Sequence, residues 1–321
     1  MRILSGIQPS GTIHIGNYFG MVKKMIESQN DGKLFAFIAS YHALTSVKDK
    51  EFLEKNTFEA AVNFLALGMD PEKSTFWVQH DVKEVLELYW LLSNHTSMGL
   101  LERAHSYKDK TSRGIQANHG LFSYPVLMAA DILLFDSNVV PVGKDQIQHV
   151  EMTRDIAISF NHAYKKEIFV LPTAKVDEDV ATVPGTDGAK MSKSYNNTID
   201  MFGNAKTIKK QVMGIVTDSK ELDEPKEWEN CNIYAISKLF MNEDELANLR
   251  ARYATPGEGY GHFKMTLLEK INEHFAPYVE KREYFFNNPQ KVKEILAFGA
   301  SKARKIASEK MEIIRDCVGL I

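Results

Sequence analysis

Cysteine is nearly missing from this chain: there are two in 321 residues, Cys231 and Cys317. So sparse and widely spaced a pair supplies neither a disulfide framework nor a zinc site, and a reduced cytoplasmic location is the expectation that follows. Long apolar runs are missing as well. None approaches the ~18 residues that a membrane span needs, and Met1-Arg2-Ile3-Leu4-Ser5-Gly6 lacks the apolar stretch of a signal peptide. Charge of one sign is the third absence, since 39 basic residues against 42 acidic ones give a formal net charge of −3. Neither DNA nor a membrane surface is an expected partner, and any RNA contact has to come from local basic patches. With 44% hydrophobic and 25% charged residues, an ordinary globular protein remains, large enough for one big domain or two ordinary ones.

What is present alternates. Residues 2–7 read as a short strand ending in the turn cluster Gln8-Pro9-Ser10-Gly11. A helix follows over 15–28, with Tyr18, Val22, Met25 and Ile26 on its apolar side. The series continues with a strand over 33–39, a helix over 51–67 closed by Gly68, a strand over 74–79 and a helix over 83–94. Residues 98–135 read as helical around a polar stretch at 107–118, 139–142 as strand, and Gly143-Lys144-Asp145 opens a helix over 146–160. This alternation predicts an α/β fold with a mainly parallel sheet covered on both faces. Residues 183–197, rich in Gly, Ser, Thr and Asn, read as a mobile loop. Beyond about residue 200 every periodic segment is helical, over 205–213, 232–240, 244–253, 261–279 and 289–318. The switch predicts an α/β domain at 1–200, a helical domain at 201–285 and a last helix at 286–321 that packs back on the first domain.

Three segments carry chemistry. In Gln8-Pro9-Ser10-Gly11-Thr12-Ile13-His14-Ile15-Gly16-Asn17 a strand turns into a helix, which presents unpaired N–H groups and a positive dipole end. Gly11 and Gly16 let a ligand approach the backbone, and His14 and Asn17 add donors on the same rim. A plain tight turn would look similar. In Lys190-Met191-Ser192-Lys193-Ser194 two ammonium groups on a loop suit a leaving group whose negative charge grows; a solvated surface loop would also read this way. The third segment, Tyr124 to Phe135, is an almost wholly apolar helix holding one acid, Asp131. Burying a carboxylate without hydrogen bonds costs several kcal/mol. Asp131 either pairs with a Lys or Arg, or it accepts one hydrogen bond from a substrate ring, with Tyr124 and Met128 on the same helix face.

Taken together and in this order, the first two segments resemble the ATP-handling signatures of class I aminoacyl-tRNA synthetases. His14-Ile15-Gly16-Asn17 is similar to the HIGH motif, with Asn17 in place of its final histidine, and Lys190 to Ser194 to the KMSKS motif. Further runs resemble the bacterial-type tryptophanyl-tRNA synthetase family: Ser5-Gly6-Ile7-Gln8-Pro9-Ser10-Gly11, Tyr41-His42-Ala43-Leu44-Thr45, Ala129-Ala130-Asp131-Ile132-Leu133-Leu134, Val140 to His149 and Gly259-Tyr260-Gly261-His262-Phe263-Lys264.

The resemblance implies a Rossmann-like catalytic domain carrying a helical dimer-interface insertion, an anticodon-binding helical domain, a homodimer, and ligation of L-tryptophan to tRNA(Trp) with ATP. It implies that Asp131 receives the indole N–H and that Leu4, Gly6, His42, Tyr124, Met128, Val142 and Gln146 line the amino-acid pocket. ATP would be held by Gln8, Pro9, Ser10, Gly16 and Asn17, by Gly143, Lys144 and Asp145 near the ribose, by Val183 near the adenine, and by Lys190, Met191, Ser192, Lys193 and Ser194. His14, Lys110, Lys190 and Lys193 would be catalytic, with Mg²⁺ arriving on ATP rather than at a dedicated protein site.

This sequence departs from many relatives at Ala39-Ser40-Tyr41, which lacks an acid. It departs again at Thr186-Asp187-Gly188-Ala189, which lacks a basic residue, so glycines would hinge the loop more freely. A tyrosyl-tRNA synthetase, a nucleotidyltransferase of the same superfold and a non-catalytic RNA-binding relative stay open as alternatives. The Ala-Ala-Asp-Ile-Leu-Leu context, the helical C-terminal part and the intact His14 and lysine loop count against them in turn. Trp77 and Trp90 read as core, and Glu151, Arg154 and Asp155 as a structural ion-pair network. Lys302, Arg304, Lys305 and Lys310 read as a solvated helix face or an RNA contact.

Overall fold

The computed structural model of the chain describes residues 1–104, 107, 118–176 and 183–321. At its centre is a five-stranded parallel sheet of β1 (Arg2–Ile7), β2 (Lys33–Ile38), β3 (Thr75–Val78), β4 (Val139–Pro141) and β5 (Thr173–Lys175), in the order β3-β2-β1-β4-β5. The sequence pattern located the first four to within a residue or two. It missed β5, whose three residues Thr-Ala-Lys are half-exposed or exposed at the sheet edge and carry no apolar run.

Side chains of alternate parity supply two cores, as the pleat requires. Ile3, Leu34, Ala36, Ile38, Phe76 and Val78 face one way, onto α1 and onto α3 (Lys50–Ala66). Here α1 is an α turn (Ile15–Asn17), a π segment (Tyr18–Val22) and an α segment (Lys23–Glu27) in succession. Leu4, Phe35, Phe37, Ala39, Trp77 and Val140 face the other way, onto α4 (Glu84–Ser93), α6 (His119–Leu134) and α7 (Ile147–Tyr164). Two short helices, α2 (Ser40–Ala43) and α5 (Met98–Glu102), link these layers. A parallel sheet covered on both faces, with its strand order reversing between β1 and β4, is a Rossmann-like α/β fold. Such a sheet opens a crevice beyond the carboxyl ends of its strands at that reversal.

From residue 205 onward the regular elements are helices: α8 (Ala205–Met213), α9 (Asn232–Ser237), α10 (Glu243–Ala254), α11 (Tyr260–Asn287) and α12 (Pro289–Val318). α11 runs through Pro277 and past residue 279, where its apolar pattern lapses. Arg282 there donates to Asn63 Oδ1 at 2.9 Å and stacks on Phe202 and Phe286, so a tertiary anchor carries the polar last turns. The same helix meets α1, where Tyr18 of the π segment lies edge-on to His274 and Phe275, and Phe19 lies edge-on to Phe240 just beyond α9. Burial lowers the His274 pKa, as does the charge of Lys23.

α12 lies against β3. Gly299 sits so close to the Phe76 carbonyl that a β-carbon would stand 1.8 Å from it, and Ala300, Ala303 and Ala307 continue the small-residue face. Half of the basic run on this helix is thus drawn into the fold, Lys302 and Lys310, while Arg304 and Lys305 stay on the exposed face. Lys302 donates to the Pro71 and Ser74 carbonyls, Arg304 to that of Asp81, and Lys310 to Asp136 Oδ1 at 2.5 Å and to the Ile168 carbonyl. Arg315 grips Glu87 with two hydrogen bonds, which hold that carboxyl below its usual range. Trp77 is core, as its strand position predicts, whereas Trp90 is 67% exposed and corrects the sequence reading.

Candidate active site

The carboxyl ends of four strands deliver the site. β1 runs out into Gln8-Pro9-Ser10-Gly11, where Ser10 N–H closes a turn on the Gln8 carbonyl. β2 leads into α2 and His42, β3 into Gln79, and β4 into the 3₁₀ turn Lys144–Gln146.

The first signature builds its own helix start. His14 is the N-cap of α1: its Nδ1 accepts from Asn17 N–H at 3.3 Å, and Asn17 Oδ1 accepts from His14 N–H at 3.2 Å. This reciprocal pair is a capping box made of the motif's own residues. With Nδ1 accepting, the neutral imidazole carries its proton on Nε2. His14 is 4% exposed, and burial followed by the charge of Lys193 pushes its pKa down to about 4.

The second signature is folded against the first. A β-carbon on Gly16 would stand 3.1 Å from Met191 Cβ, and one on Gly11, whose φ is +129°, would stand 3.0 Å from Lys193 Nζ. Burial lowers the Lys193 pKa, and Asp200 opposes the shift. The loop is internally tied rather than loose, which corrects the expectation from composition. Pro184 pairs with Lys190, Met191 N–H donates to the Val183 carbonyl at 2.9 Å, and both Val183 and Met191 are buried in the core under α1. Asn197 is the hub: its Oδ1 accepts from Ser192 N–H, and its Nδ2 donates to Asp187 Oδ1 and the Lys190 carbonyl. Gly185 and Gly188 are not free hinges, because a β-carbon at either would strike Asn197 or Asn232. Lys190 and Ser194 are exposed on this scaffold, and Ser192 caps a 3₁₀ turn by accepting from Ser194 N–H.

Asp131 is 4% exposed and, among the described residues, meets neither guanidinium nor ammonium. Its Oδ2 lies 2.8 Å from His42 Nε2, and Gln79 Nε2 donates to Oδ1 at 2.9 Å and Oδ2 at 2.8 Å. Tyr124 stands edge-on to the His42 ring, and its hydroxyl meets His149 Nε2 at 2.8 Å. Met128 and Val142 are half-buried, and Leu4 is fully buried beside them in the same core. Gly6 admits the Phe37 ring, whose Cζ would lie 2.6 Å from a β-carbon there. Gln8, Ser10, Gly143, Lys144, Asp145 and Gln146 are exposed and Pro9 is buried; a β-carbon on Gly143 would meet Asp145 Oδ1 at 2.7 Å. Lys110 lies outside the described residues.

Sequence reasoning missed Gln79, Asn197 and Asp200. A glutamine directly after a strand end was the available signal for Gln79; nothing local marked the other two.

Fold and site together define a class I tRNA synthetase, and comparison agrees. The family described as tRNA synthetases class I (W and Y) matches residues 1–276, and the chain belongs to it. Within that family it falls among the tryptophan–tRNA ligases and is a ligase. It is 60% identical to Tryptophan--tRNA ligase of Campylobacter jejuni, with 100% of both chains covered. It is 54% identical to that of Fusobacterium nucleatum, covering 100% of this chain and 98% of the relative. The crystal structure of the Campylobacter jejuni tryptophanyl-tRNA synthetase complexed with ADP and tryptophan superposes with a TM-score of 0.95, covering 99% of this chain and 100% of that one.

Proposed function

We propose that this chain activates L-tryptophan with ATP and then transfers it to the 3′ end of tRNA(Trp), using the residues assembled at the strand ends. The observation that carries the reading is the meeting of the two signatures, Met191 against Gly16 and Lys193 against Gly11, in a fold that also buries an acid held by the Gln79 amide.

In the first step a carboxylate oxygen of tryptophan attacks the α-phosphorus of ATP. A P–O bond forms as the bond to the bridging oxygen breaks, and pyrophosphate leaves with the electron pair. No protein nucleophile is needed. The His14 Nε2–H and the Lys190 and Lys193 ammonium groups answer the charge growing on the leaving pyrophosphate. Gln8, Pro9, Ser10, Gly16 and Asn17 cradle the nucleotide, with Val183, Met191, Ser192 and Ser194 shaping the loop that covers it. Gly143, Lys144 and Asp145 sit at the β4 end, where a ribose can approach backbone. Mg²⁺ would arrive with ATP rather than at a site of the protein and would offset phosphate charge alongside His14, Lys190 and Lys193. In the second step a terminal ribose hydroxyl attacks the acyl carbon and AMP leaves.

The Asp131 carboxylate accepts the indole N–H, with Leu4, Gly6, His42, Tyr124, Met128, Val142 and Gln146 around the ring. The helices at 201–285, with Lys206, Lys209 and Lys210 exposed on α8, read the anticodon, and 286–321 fastens them to the sheet. Leu86 and Trp90, exposed one turn apart on α4, suit a homodimer interface with Met98. No helix among the described residues is long and apolar enough to cross a membrane, and a ligase consuming ATP and tRNA has its substrates in the cytoplasm.

Amino-acid-dependent ATP–pyrophosphate exchange tests the reading. Exchange with tryptophan and none with tyrosine is expected. Exchange driven equally by both, or by neither, overturns it.

A further inference from the structure

The buried acid has a partner that the proposed chemistry does not use. Gln79, the first residue after β3, is 1% exposed. Its Oε1 accepts from Tyr41 N–H at 2.9 Å, which settles the direction of the amide and leaves Nε2 aimed at Asp131, 2.9 and 2.8 Å from its two oxygens. The donor, Tyr41, sits in the first turn of α2, one residue before His42, so a single side chain ties β3, α2 and α6 together around one carboxylate. An ionised carboxylate offers about four lone-pair sites. The shared Gln79 donor and His42 occupy three of them, both sites of Oδ2 and one of Oδ1.

We propose that Gln79 is a positioning residue for amino-acid recognition: its amide clamps the Asp131 carboxylate so that one acceptor site on Oδ1 is left, aimed at the ring N–H of the substrate. The inference rests on the reading of Asp131 given above. A buried acceptor with one open site discriminates strongly, because a ring lacking N–H leaves that site unpaired. Without the clamp, the carboxylate has three open sites and only His42 restrains its rotation about χ2. A misaligned or water-bridged complex then competes, and the advantage of a ring N–H shrinks.

The test uses the full chain in ATP–pyrophosphate exchange, with tryptophan and with its benzothiophene analogue, in which sulfur replaces the ring N–H. Gln79→Met keeps the length of the side chain and removes its donors. Its KM for tryptophan is expected to rise about ten- to hundredfold. Its preference for tryptophan over the analogue should fall by a similar factor, with the KM for ATP and the turnover at saturating tryptophan within about twofold of the unaltered chain. A purely structural role would lower turnover and stability while leaving the preference alone, and that result overturns the proposal.

Asp131→Ala separates the two claims. If it abolishes the preference while Gln79→Met leaves it whole, the clamp is wrong and the reading of Asp131 stands. If Asp131→Ala itself leaves the preference whole, both fall. A structure of the unaltered protein with tryptophan bound gives a second reading: the Gln79 amide should stay within hydrogen-bond distance of Asp131, and an amide swung away sinks the inference.

Discussion

His14 is held neutral by its surroundings, and the sign of the consequence is definite. Its pKa in the folded chain, about 4, lies below the ordinary 6.5. As pH falls from 6.5 toward 4, the unfolded chain takes up the proton first and folding stability is lost. Above 6.5 the contribution is complete. The full loss amounts to about 3 kcal/mol. Urea midpoints measured across this range should fall with pH in the native chain and fall less in a His14→Gln variant; parallel curves would remove His14 as the cause. Lys193 is the second source of the shift, so Lys193→Ala should move the His14 titration upward when followed by NMR. The same substitution removes charge that answers the leaving group. Exchange turnover should drop about 10²- to 10³-fold, while tryptophan affinity, measured by equilibrium binding, stays within about twofold.

Elements act through how they are tied down. The lysine loop is legible as a loop from its Gly, Ser, Thr and Asn content, yet composition cannot say whether such a segment is free or pinned. Asn197 decides this by bridging Ser192, Asp187 and Lys190, and Val216 N–H extends the tie from the Thr186 carbonyl toward the helical part. Asn197→Ala should cost about 1–3 kcal/mol of stability and lower exchange turnover with little change in tryptophan affinity. Unchanged turnover would mean that the loop holds its shape without the hub. α11 carries the same lesson. Its apolar period lapses near residue 279, but the Arg282 contacts to Asn63, Phe202 and Phe286 lie across the fold and carry it to Asn287.

The whole molecule depends on where α12 lies and on what covers α4. Trp90 is a large aromatic left 67% exposed on a helix whose other face is core. If α4 forms the subunit contact, Trp90→Glu buries a charge there and should shift sedimentation toward monomer at micromolar concentration without loss of helical content. A variant that sediments as the native chain does would place the contact elsewhere. Pattern alone assigned Trp90 to the core, because an apolar helix position reads the same whether sheet or solvent faces it. Half of the basic run on α12 departs from its reading for the mirror reason. Lysines look solvated in sequence, but Lys302 and Lys310 are spent on carbonyls and a carboxylate of the sheet domain.

What the sequence by itself determined is what short-range physics encodes. Period-two and period-3.6 apolar patterns set the order of strands and helices. The strand–turn–helix glycines and the paired lysines marked the nucleotide chemistry, and one acid in an oily helix marked the residue that would have to be satisfied. Only the tertiary structure decided what satisfies it, and what pins the lysine loop over His14. Gln79 lies 52 residues from Asp131 in sequence and 2.8 Å from it in space. A hydrogen bond of that kind is fixed by how the sheet stacks its strand ends, and no local pattern of residue types records it.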